Sequence, residues 1–186
     1  MKMVKKILLV IMCILAISTS CKANKTDNKT KTNSNQSTNE IKTNKTGKLI
    51  FNAKTIDGKS VDNSIFKDQK LTVVNIWATF CGPCINELPE LQSLYENMKK
   101  QNINVIGVIA DTPNSQNETL AKQILAKAGI KYDNVIPDEN LKKILPDVVP
   151  TTLFIDNNGI KVGETVGAMN EKSYNDKITE ILKKIK

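Results

Sequence analysis

Two cysteines separated by a glycine and a proline are the residues of this chain best suited to covalent chemistry. Residues 77–84 are Trp-Ala-Thr-Phe-Cys-Gly-Pro-Cys, so Cys81 and Cys84 lie three positions apart. Gly82 and Pro83 lie between them and are expected to support the geometry of the pair. A thiol pair at this spacing can form a reversible disulfide, and its thiolate is the nucleophile of thiol–disulfide exchange. The chain of 186 residues contains no histidine and no arginine, which excludes histidine-dependent triads, imidazole metal sites and arginine anion clamps. The motif therefore predicts redox chemistry.

The elements on either side of the motif should position the two thiols. Residues 71–77 are a nearly continuous β-prone run, which predicts a strand buried on both faces. A helix is predicted over 83–100, and Pro83 suits its first turn. Cys81 would then lie at the N-terminus of this helix, where unpaired N–H groups and the helix dipole stabilise a thiolate. We expect Cys81 to attack a substrate disulfide and Cys84, one turn deeper, to resolve the mixed disulfide.

Other uses of a two-cysteine motif need further ligands or a longer enclosed loop. A zinc site would need two more ligands, which only carboxylates could supply once the N-terminal cysteines are set aside. Covalent haem attachment needs a histidine after the second cysteine, where this chain has Ile85. A purely structural disulfide would enclose only two residues and would constrain the unfolded chain little. We predict no metal and no cofactor beyond the redox disulfide, with carboxylate-completed zinc and a structural disulfide as the alternatives.

The hydrophobic pattern of residues 48–186 alternates between strand and helix periods. Strands alternating with helices, followed by a hairpin and a closing helix, indicate an α/β sandwich with a mixed sheet. Besides the strand and helix described above, the pattern predicts a hairpin over 49–54 and 60–61, strands over 103–110 and 135–136, helices over 117–128 and 138–145, a hairpin over 151–155 and 160–166, and an amphipathic helix capped by Asn170.

The N-terminal residues have the composition of a targeting segment and a linker. Residues 1–20 combine three lysines, a short apolar run and small residues, which is the pattern of a secretory signal peptide. Cys21 follows where a bacterial lipoprotein carries its lipidated cysteine, although Ser18 replaces the usual aliphatic residue. A soluble secreted protein and an uncleaved anchor are the alternatives. Residues 21–47 are rich in Lys, Asn and Thr, and we expect them to form a disordered tether because they cannot bury a core.

The formal charge of +8 is concentrated near the N-terminus. Nine lysines precede residue 48, whereas residues 48–186 contain 18 lysines and 17 acidic residues. A nearly neutral folded region has no electrostatic footprint for nucleic acid, which we exclude as a partner. A basic tether is compatible with an anionic membrane surface.

Residues 48–186 resemble the TlpA/ResA-like branch of the thioredoxin superfamily. The resemblance rests on residues 77–84, with Phe80 where many members have tryptophan, and on residues 148–156 (Val-Val-Pro-Thr-Thr-Leu-Phe-Ile-Asp), which match the family's proline loop and following strand. It implies a thioredoxin fold, with a mixed central sheet flanked by helices, an N-terminal β-hairpin and an extra helix within 111–134, before the proline loop. It also implies an exported thiol–disulfide oxidoreductase that acts on partner proteins.

The same resemblance implies roles for residues outside the cysteine pair. Pro150 would follow a cis peptide bond and pack against the cysteines, and Val149 would offer backbone hydrogen bonds to an extended client segment. Many thioredoxins have a buried aspartate six residues before the first cysteine. This chain has Asn75 there, which cannot relay a proton and is expected to hydrogen-bond within the core. Trp77 and Phe80 would shield the disulfide and supply contact surface, with simple packing as the alternative.

Glu87 is the candidate for proton transfer. It lies three residues after Cys84, on the edge of the apolar stripe of the predicted helix. Desolvation there would raise its pKa and allow it to take a proton from Cys84 during resolution. The resemblance also places a glutamate at this position. The alternative is a solvated glutamate that the helix dipole favours in a first turn.

These features predict an extracytoplasmic reductase, lipid-anchored to the bacterial cell membrane. A Gly-Pro pair between the cysteines accompanies low reduction potentials, about −270 mV in thioredoxin. The expected partners are a disulfide-containing client protein, a membrane thiol that donates electrons, and the membrane itself through the lipid. A monomer is expected because nothing in the sequence predicts oligomerisation.

Three other functions are compatible with parts of the sequence. An oxidase or isomerase would use the same two cysteines in another direction. A peroxiredoxin would need an arginine and a threonine three places before its reactive cysteine, where this chain has Ala78 before Cys81. A non-catalytic adhesin or chaperone-like module would not depend on the thiols.

Overall fold

The structure, a computed structural model, describes residues 47–185. The predicted signal peptide (1–20), Cys21 and residues 22–46 of the predicted tether lie outside the described residues. Gly47, the last residue of that predicted tether, accepts a hydrogen bond from the N–H of Lys161 (3.3 Å). Within the described range, no helix is long and apolar enough to cross a membrane.

Seven strands form one mixed sheet in the described part of the chain. They are β1 (Asn52–Thr55), β2 (Ser60–Asp62), β3 (Leu71–Trp77), β4 (Ile103–Ile109), β5 (Asn134–Ile136), β6 (Thr151–Ile155) and β7 (Lys161–Val166). Their order is β2-β1-β5-β4-β3-β6-β7. The central strands β3 and β4 are parallel, and β6 is antiparallel to β3. Every residue of β3 is buried, as its continuous apolar run predicts.

Four α-helices connect and cover these strands within residues 47–185. They are α1 (Gly82–Met98), α2 (Ser115–Lys127), α3 (Glu139–Lys142) and α4 (Glu171–Lys184). Side-chain oxygens of Asn114, Asp138 and Asn170 accept hydrogen bonds from first-turn N–H groups of α2, α3 and α4, and so cap these helices. Gly129 follows α2 with a left-handed φ of 68°, the conformation expected after a helix end. The resulting α/β fold agrees with the predicted mixed sheet flanked by helices.

The two faces of the sheet bury separate apolar clusters. Leu71 and Val73 face α1 and α4, where they pack with Leu91 and Tyr174. Alternate residues of β3 face the other side of the sheet, where Val74 and Ile76 join a cluster that includes residues of the N-terminal hairpin. A strand buried on both faces therefore fixes the position of the residues that follow it, including the two cysteines.

The first predicted strand begins later than expected. The prediction of a strand from Leu49 was wrong by three residues, since β1 starts at Asn52. The Leu49 N–H donates to the carbonyl of Gly159 (2.7 Å), and the Phe51 N–H donates to Oδ1 of Asn63 (2.9 Å). The backbone N–H groups of Leu49 and Phe51 therefore have hydrogen-bond partners outside the β1 ladder.

The short helix before the proline loop is also shorter than predicted. A helix was expected over 138–145, but α3 is a single turn that ends at Lys142. Pro146 disfavours the helical conformation for Leu145, so the segment cannot continue as a regular helix.

Candidate active site

Cys81 and Cys84 form a disulfide where the central strand gives way to helix α1. β3 ends at Trp77, and Cys81 is the N-cap residue of α1. The two sulfur atoms are 2.02 Å apart, and the two Cα atoms 5.3 Å. No cluster of three or more metal-ligating side chains occurs in residues 47–185. The strand-to-helix arrangement is the one that the sequence pattern predicted.

The two sulfurs have different surroundings. Cys81 is 7% exposed, whereas Cys84 is fully buried at 0%. The Sγ of Cys81 accepts a hydrogen bond from the Cys84 N–H (3.2 Å) at the N-terminus of α1, where the helix dipole favours negative charge. Gly82 and Pro83 are exposed first-turn residues. The geometry therefore leaves Cys81 as the more accessible sulfur of the pair and encloses Cys84 completely.

The proline loop lies against the sulfur of Cys81. The Val149–Pro150 peptide bond is cis, as the family resemblance implies. The Sγ of Cys81 is 3.6 Å from the carbonyl oxygen of Val149. A disulfide sulfur carries no proton, so this is a contact in the oxidised protein. In the reduced protein, a thiol at Cys81 would be able to donate to that carbonyl.

Three exposed apolar side chains belong to the cysteine motif, to the proline loop and to the strand paired beside that loop, and we call them the apolar rim. Phe80 precedes Cys81 and is 77% exposed. Val148 precedes the proline loop, and Val166 pairs with Thr151 at the start of β6; they are 54% and 59% exposed. Phe80 and Val148 therefore each adjoin a residue of the Cys81–Val149 contact, and Val166 lies opposite the residue that follows Pro150.

Trp77 lies beneath the disulfide at the end of β3 and has no exposed surface. It packs in one cluster with Cys84 and Leu88, and its Nε1 donates to Oδ1 of Asn134 (2.9 Å). Trp77 therefore packs with the buried side of the disulfide, as the shielding part of the expectation predicts, but the expectation that it also supplies contact surface is wrong. Gly107 leaves the space that this hydrogen bond occupies, because a Cβ there would be 2.0 Å from Oδ1 of Asn134.

The turn between Trp77 and Cys81 is held by a carboxylate that the sequence analysis missed. The backbone N–H and the hydroxyl of Thr79 both donate to the carboxylate of Asp111. The carbonyl of Asp111 in turn accepts from Nδ2 of Asn117 on α2 (2.8 Å). An acidic residue two positions after a buried parallel strand was the available signal, since parallel strand ends meet at one edge of a sheet.

Glu87 is buried on the inner face of α1, 2% exposed. Its Oε1 accepts from the hydroxyl of Tyr174 (2.7 Å) and from the N–H of Met169 (2.7 Å), and its Oε2 accepts from Nδ2 of Asn75 (3.2 Å). Burial raises the pKa of Glu87, and the three donors oppose that rise by stabilising the carboxylate. The solvated alternative for Glu87 is excluded. Asn75 hydrogen-bonds within the core as expected.

A three-residue turn connects the proline loop to Glu87. The Gly167 N–H donates to the carbonyl of Pro150 (2.8 Å), and the Met169 N–H donates to Glu87. Gly167 has a φ of 96°, a left-handed conformation that favours glycine. The turn over 167–169 therefore joins the surface beside the disulfide to the buried acid.

Glu87→Gln should change how stability depends on pH. The folded protein binds the Glu87 proton more tightly than the unfolded chain does, because burial raises the pKa of Glu87. Its stabilising contribution is complete below the unfolded-state pKa, about 4.3, and is lost as the pH rises through the folded-state pKa. We expect the variant to exceed the wild type in free energy of unfolding at neutral pH, with the difference shrinking towards pH 4. Denaturant titrations from pH 4 to 8 measure this.

The matched control is Glu96→Gln on the exposed side of the same helix. Hydrogen bonds from Gln92 and Lys131 lower the pKa of Glu96, so this change should not stabilise the protein at neutral pH. A difference between Glu87→Gln and wild type that stays constant with pH would contradict the prediction.

Comparisons with known proteins agree with this geometry. The AhpC/TSA family model matches residues 48–174. The thiol–disulfide oxidoreductase ResA of Bacillus thuringiensis subsp. konkukian is 28% identical over 130 residues, 70% of this chain and 71% of that protein. ResA of Halalkalibacterium halodurans is 28% identical over 136 residues, 72% of this chain and 73% of that protein.

A solved structure shows the same fold. The thiol:disulfide interchange protein, a thioredoxin family protein from Chlorobium tepidum TLS, superposes with a TM-score of 0.64 at 22% identity. The match covers 74% of this chain and 96% of that one. The fold is therefore that of thioredoxin, and the cysteine pair lies at the start of α1. The chain belongs to the AhpC/TSA family and is a ResA-like thiol–disulfide oxidoreductase.

Proposed function

We propose that this protein is an extracytoplasmic reductase of disulfides in partner proteins. The observation that carries the proposal is the asymmetry of the Cys81–Cys84 pair, with Cys81 partly accessible beside the Pro150 loop and Cys84 fully buried. A pair of this kind lets a client sulfur reach Cys81 alone. The release of the client then depends on Cys84, which no external thiol can readily contact.

The reaction proceeds in two exchange steps. The thiolate of Cys81 attacks one sulfur of the client disulfide, so a Cys81–client bond forms, the client S–S bond breaks, and the leaving client thiolate takes up a proton. Cys84 then loses its proton and attacks the sulfur of Cys81. The Cys81–Cys84 disulfide forms, the second client thiol leaves, and two electrons have passed from the protein to the client.

Glu87 is the proposed acceptor of the Cys84 proton. The two residues are three positions apart on α1 and are both buried, so they share a helical face. A carboxylate whose pKa is raised by burial is a stronger base than an exposed one, which suits it to take a proton from a thiol.

Client recognition is proposed for the backbone of Val149 and the apolar rim. An extended client segment could pair with the backbone before Pro150, which would bring its disulfide to Cys81. The apolar rim would bury side chains flanking the client disulfide. No cofactor beyond the redox disulfide is proposed.

The location and the electron source follow from chemistry and from the N-terminal sequence. Residues 1–20 have a signal-peptide pattern, and lipidation of Cys21 would tether the domain to the membrane through residues 22–47. Each turnover leaves the pair oxidised, so a membrane thiol must reduce it again. A monomer is sufficient for this cycle, since both cysteines come from one chain.

The reduction potential tests the direction. We expect the Cys81–Cys84 couple of the purified protein to lie near the thioredoxin value of about −270 mV, and the reduced protein to reduce insulin. Equilibration with a glutathione or dithiothreitol series, followed by thiol alkylation, measures the potential. A value near about −120 mV would assign the oxidase direction instead. Absence of insulin reduction would contradict the reductase proposal.

A further inference from the structure

The hydroxyl of Tyr174 lies between two other polar groups in the core. It is 2.7 Å from Oε1 of Glu87 and 3.1 Å from Oγ1 of Thr152. Nδ2 of Asn75 is 3.3 Å from Oγ1 of Thr152 and 3.2 Å from Oε2 of Glu87. These four side chains come from β3, α1, β6 and α4, so the group joins both layers that hold the disulfide.

An ionised Glu87 allows only one assignment of the protons in this group. A carboxylate only accepts hydrogen bonds, so the single proton of Tyr174 must point to Glu87. The hydroxyl of Thr152 then donates to the oxygen of Tyr174, and Nδ2 of Asn75 donates to both Thr152 and Glu87. Each donor therefore belongs to a chain of hydrogen bonds that ends on the carboxylate of Glu87, and this arrangement stabilises its charge.

A protonated Glu87 must find an acceptor in the same group. The N–H of Met169 can only donate, and so can Nδ2 of Asn75. A flip of the Asn75 amide would bring its Oδ1 to Glu87 as an acceptor. It would also move both N–H protons to the buried position where Oδ1 now has no partner, so those protons would be unpaired. The hydroxyl of Tyr174 can instead rotate towards Thr152 and accept the proton of Glu87, with no movement of heavy atoms.

We propose that Tyr174 is a positioning residue of the redox centre, whose hydroxyl holds Glu87 in the ionised form that accepts the Cys84 proton. This inference rests on the proposed role of Glu87 in resolution. It extends that role to α4, far along the chain from the cysteine motif.

The other titratable groups near Glu87 are accounted for. They are Cys84 one turn earlier on α1, Tyr174 from α4, and Tyr132 from the segment before β5. Burial and the negative charge of Glu87 raise the pKa of both tyrosines, so both hydroxyls stay protonated and able to donate. In the described part of the chain, Glu87 forms no ion pair.

Tyr132 provides a matched control within the same core. It is 4% exposed, and its hydroxyl has no hydrogen-bond partner. Tyr174→Phe and Tyr132→Phe each delete one oxygen atom from a buried tyrosine of the same apolar cluster. The two variants differ in whether that oxygen contacts Glu87.

The experiment measures the pKa of Glu87 by carbon-13 NMR of its carboxyl group, in the oxidised and the reduced protein. Tyr174→Phe should raise that pKa by about one pH unit or more, because a hydrogen bond to a charged acceptor is lost. If Glu87 must be ionised to act, the acidic limb of the pH–rate profile for insulin reduction should move to higher pH by the same amount. Tyr132→Phe should leave both measurements unchanged.

A second variant keeps the inference testable if Tyr174→Phe is poorly folded. Thr152→Val removes the donor to Tyr174 and should raise the pKa of Glu87 by a smaller amount in the same direction. The inference is overturned if neither variant moves that pKa, or if Tyr132→Phe moves it equally. The NMR titration does not depend on turnover. A wild-type protein that fails to reduce insulin would therefore overturn the proposed function without affecting the pKa measurement. A Glu87→Gln variant with an unchanged pH–rate profile would overturn the role of Glu87 on which the inference rests.

Discussion

Replacement of Cys84 with serine is expected to convert this protein into a covalent trap for its client. Cys81 keeps its position at the N-terminus of α1 and can still attack a client disulfide. The mixed disulfide then persists, because no second thiol in the site can attack Cys81. Extracts of cells expressing the full-length variant should show adducts on non-reducing gels that disappear on treatment with dithiothreitol, and mass spectrometry of the adducts would name the client.

Cys81→Ser is the matched control and should capture nothing. It retains a single thiol in the site, but Cys84 is fully buried, so a client disulfide cannot reach it. Insulin reduction by both variants should fall to the rate without enzyme, because reduction of a disulfide needs two thiols and each variant has lost one of them. Equal numbers of adducts from both variants would contradict the assignment of Cys81 as the attacking residue.

Gly107→Ala is expected to be among the most destabilising single-methyl additions in the protein. The new Cβ would lie 2.0 Å from Oδ1 of Asn134 and 3.1 Å from Nε1 of Trp77. Asn134 cannot easily move away, because its Nδ2 also donates to the carbonyl of Tyr132 (3.0 Å). Overpacking together with a broken buried hydrogen bond should cost about 3 kcal/mol or more in free energy of unfolding.

Denaturant unfolding followed by tryptophan fluorescence measures this effect directly. Trp77 is the only tryptophan of the chain, and it is the residue whose hydrogen bond the added methyl group disrupts. Gly82→Ala is the control, since its Cβ would meet nothing within 4 Å, and it should change the stability by no more than about 0.5 kcal/mol. A similar loss in both variants would show that the space at Gly107 is not the cause.

The sequence predicts the parts of this site that depend on neighbouring residues. The seven residues of β3, the cap at Asn170 and the position of Cys81 at a helix N-terminus all follow from local periodicity and local capping. The proline loop follows from the family resemblance. These features depend on residues close together in the chain, so a single sequence contains their signals.

The surroundings of Glu87 could not be predicted in the same way. Its donors Met169 and Tyr174 are 82 and 87 positions away in the chain. In the sequence, Tyr174 is only one residue of the predicted amphipathic helix capped by Asn170. Its hydroxyl was the unused signal, because a buried tyrosine usually has a hydrogen-bond partner for that group. Asn134 beneath Trp77 and Asp111 beside Thr79 were missed for the same reason, since both contacts bridge separate strands.

With the roles proposed for Val149 and Glu87, the turn over 167–169 would couple partner choice to proton transfer in this protein. One end of the turn is hydrogen-bonded to Pro150, where a client is proposed to dock, and the other end to the carboxylate of Glu87. A substitution or loop graft that adapts the turn to a new client would also alter one of the donors to the acid. Evolution or engineering of specificity here is therefore constrained to changes that preserve the Met169 N–H, and diversification is easier on side chains such as Phe80 and Val148.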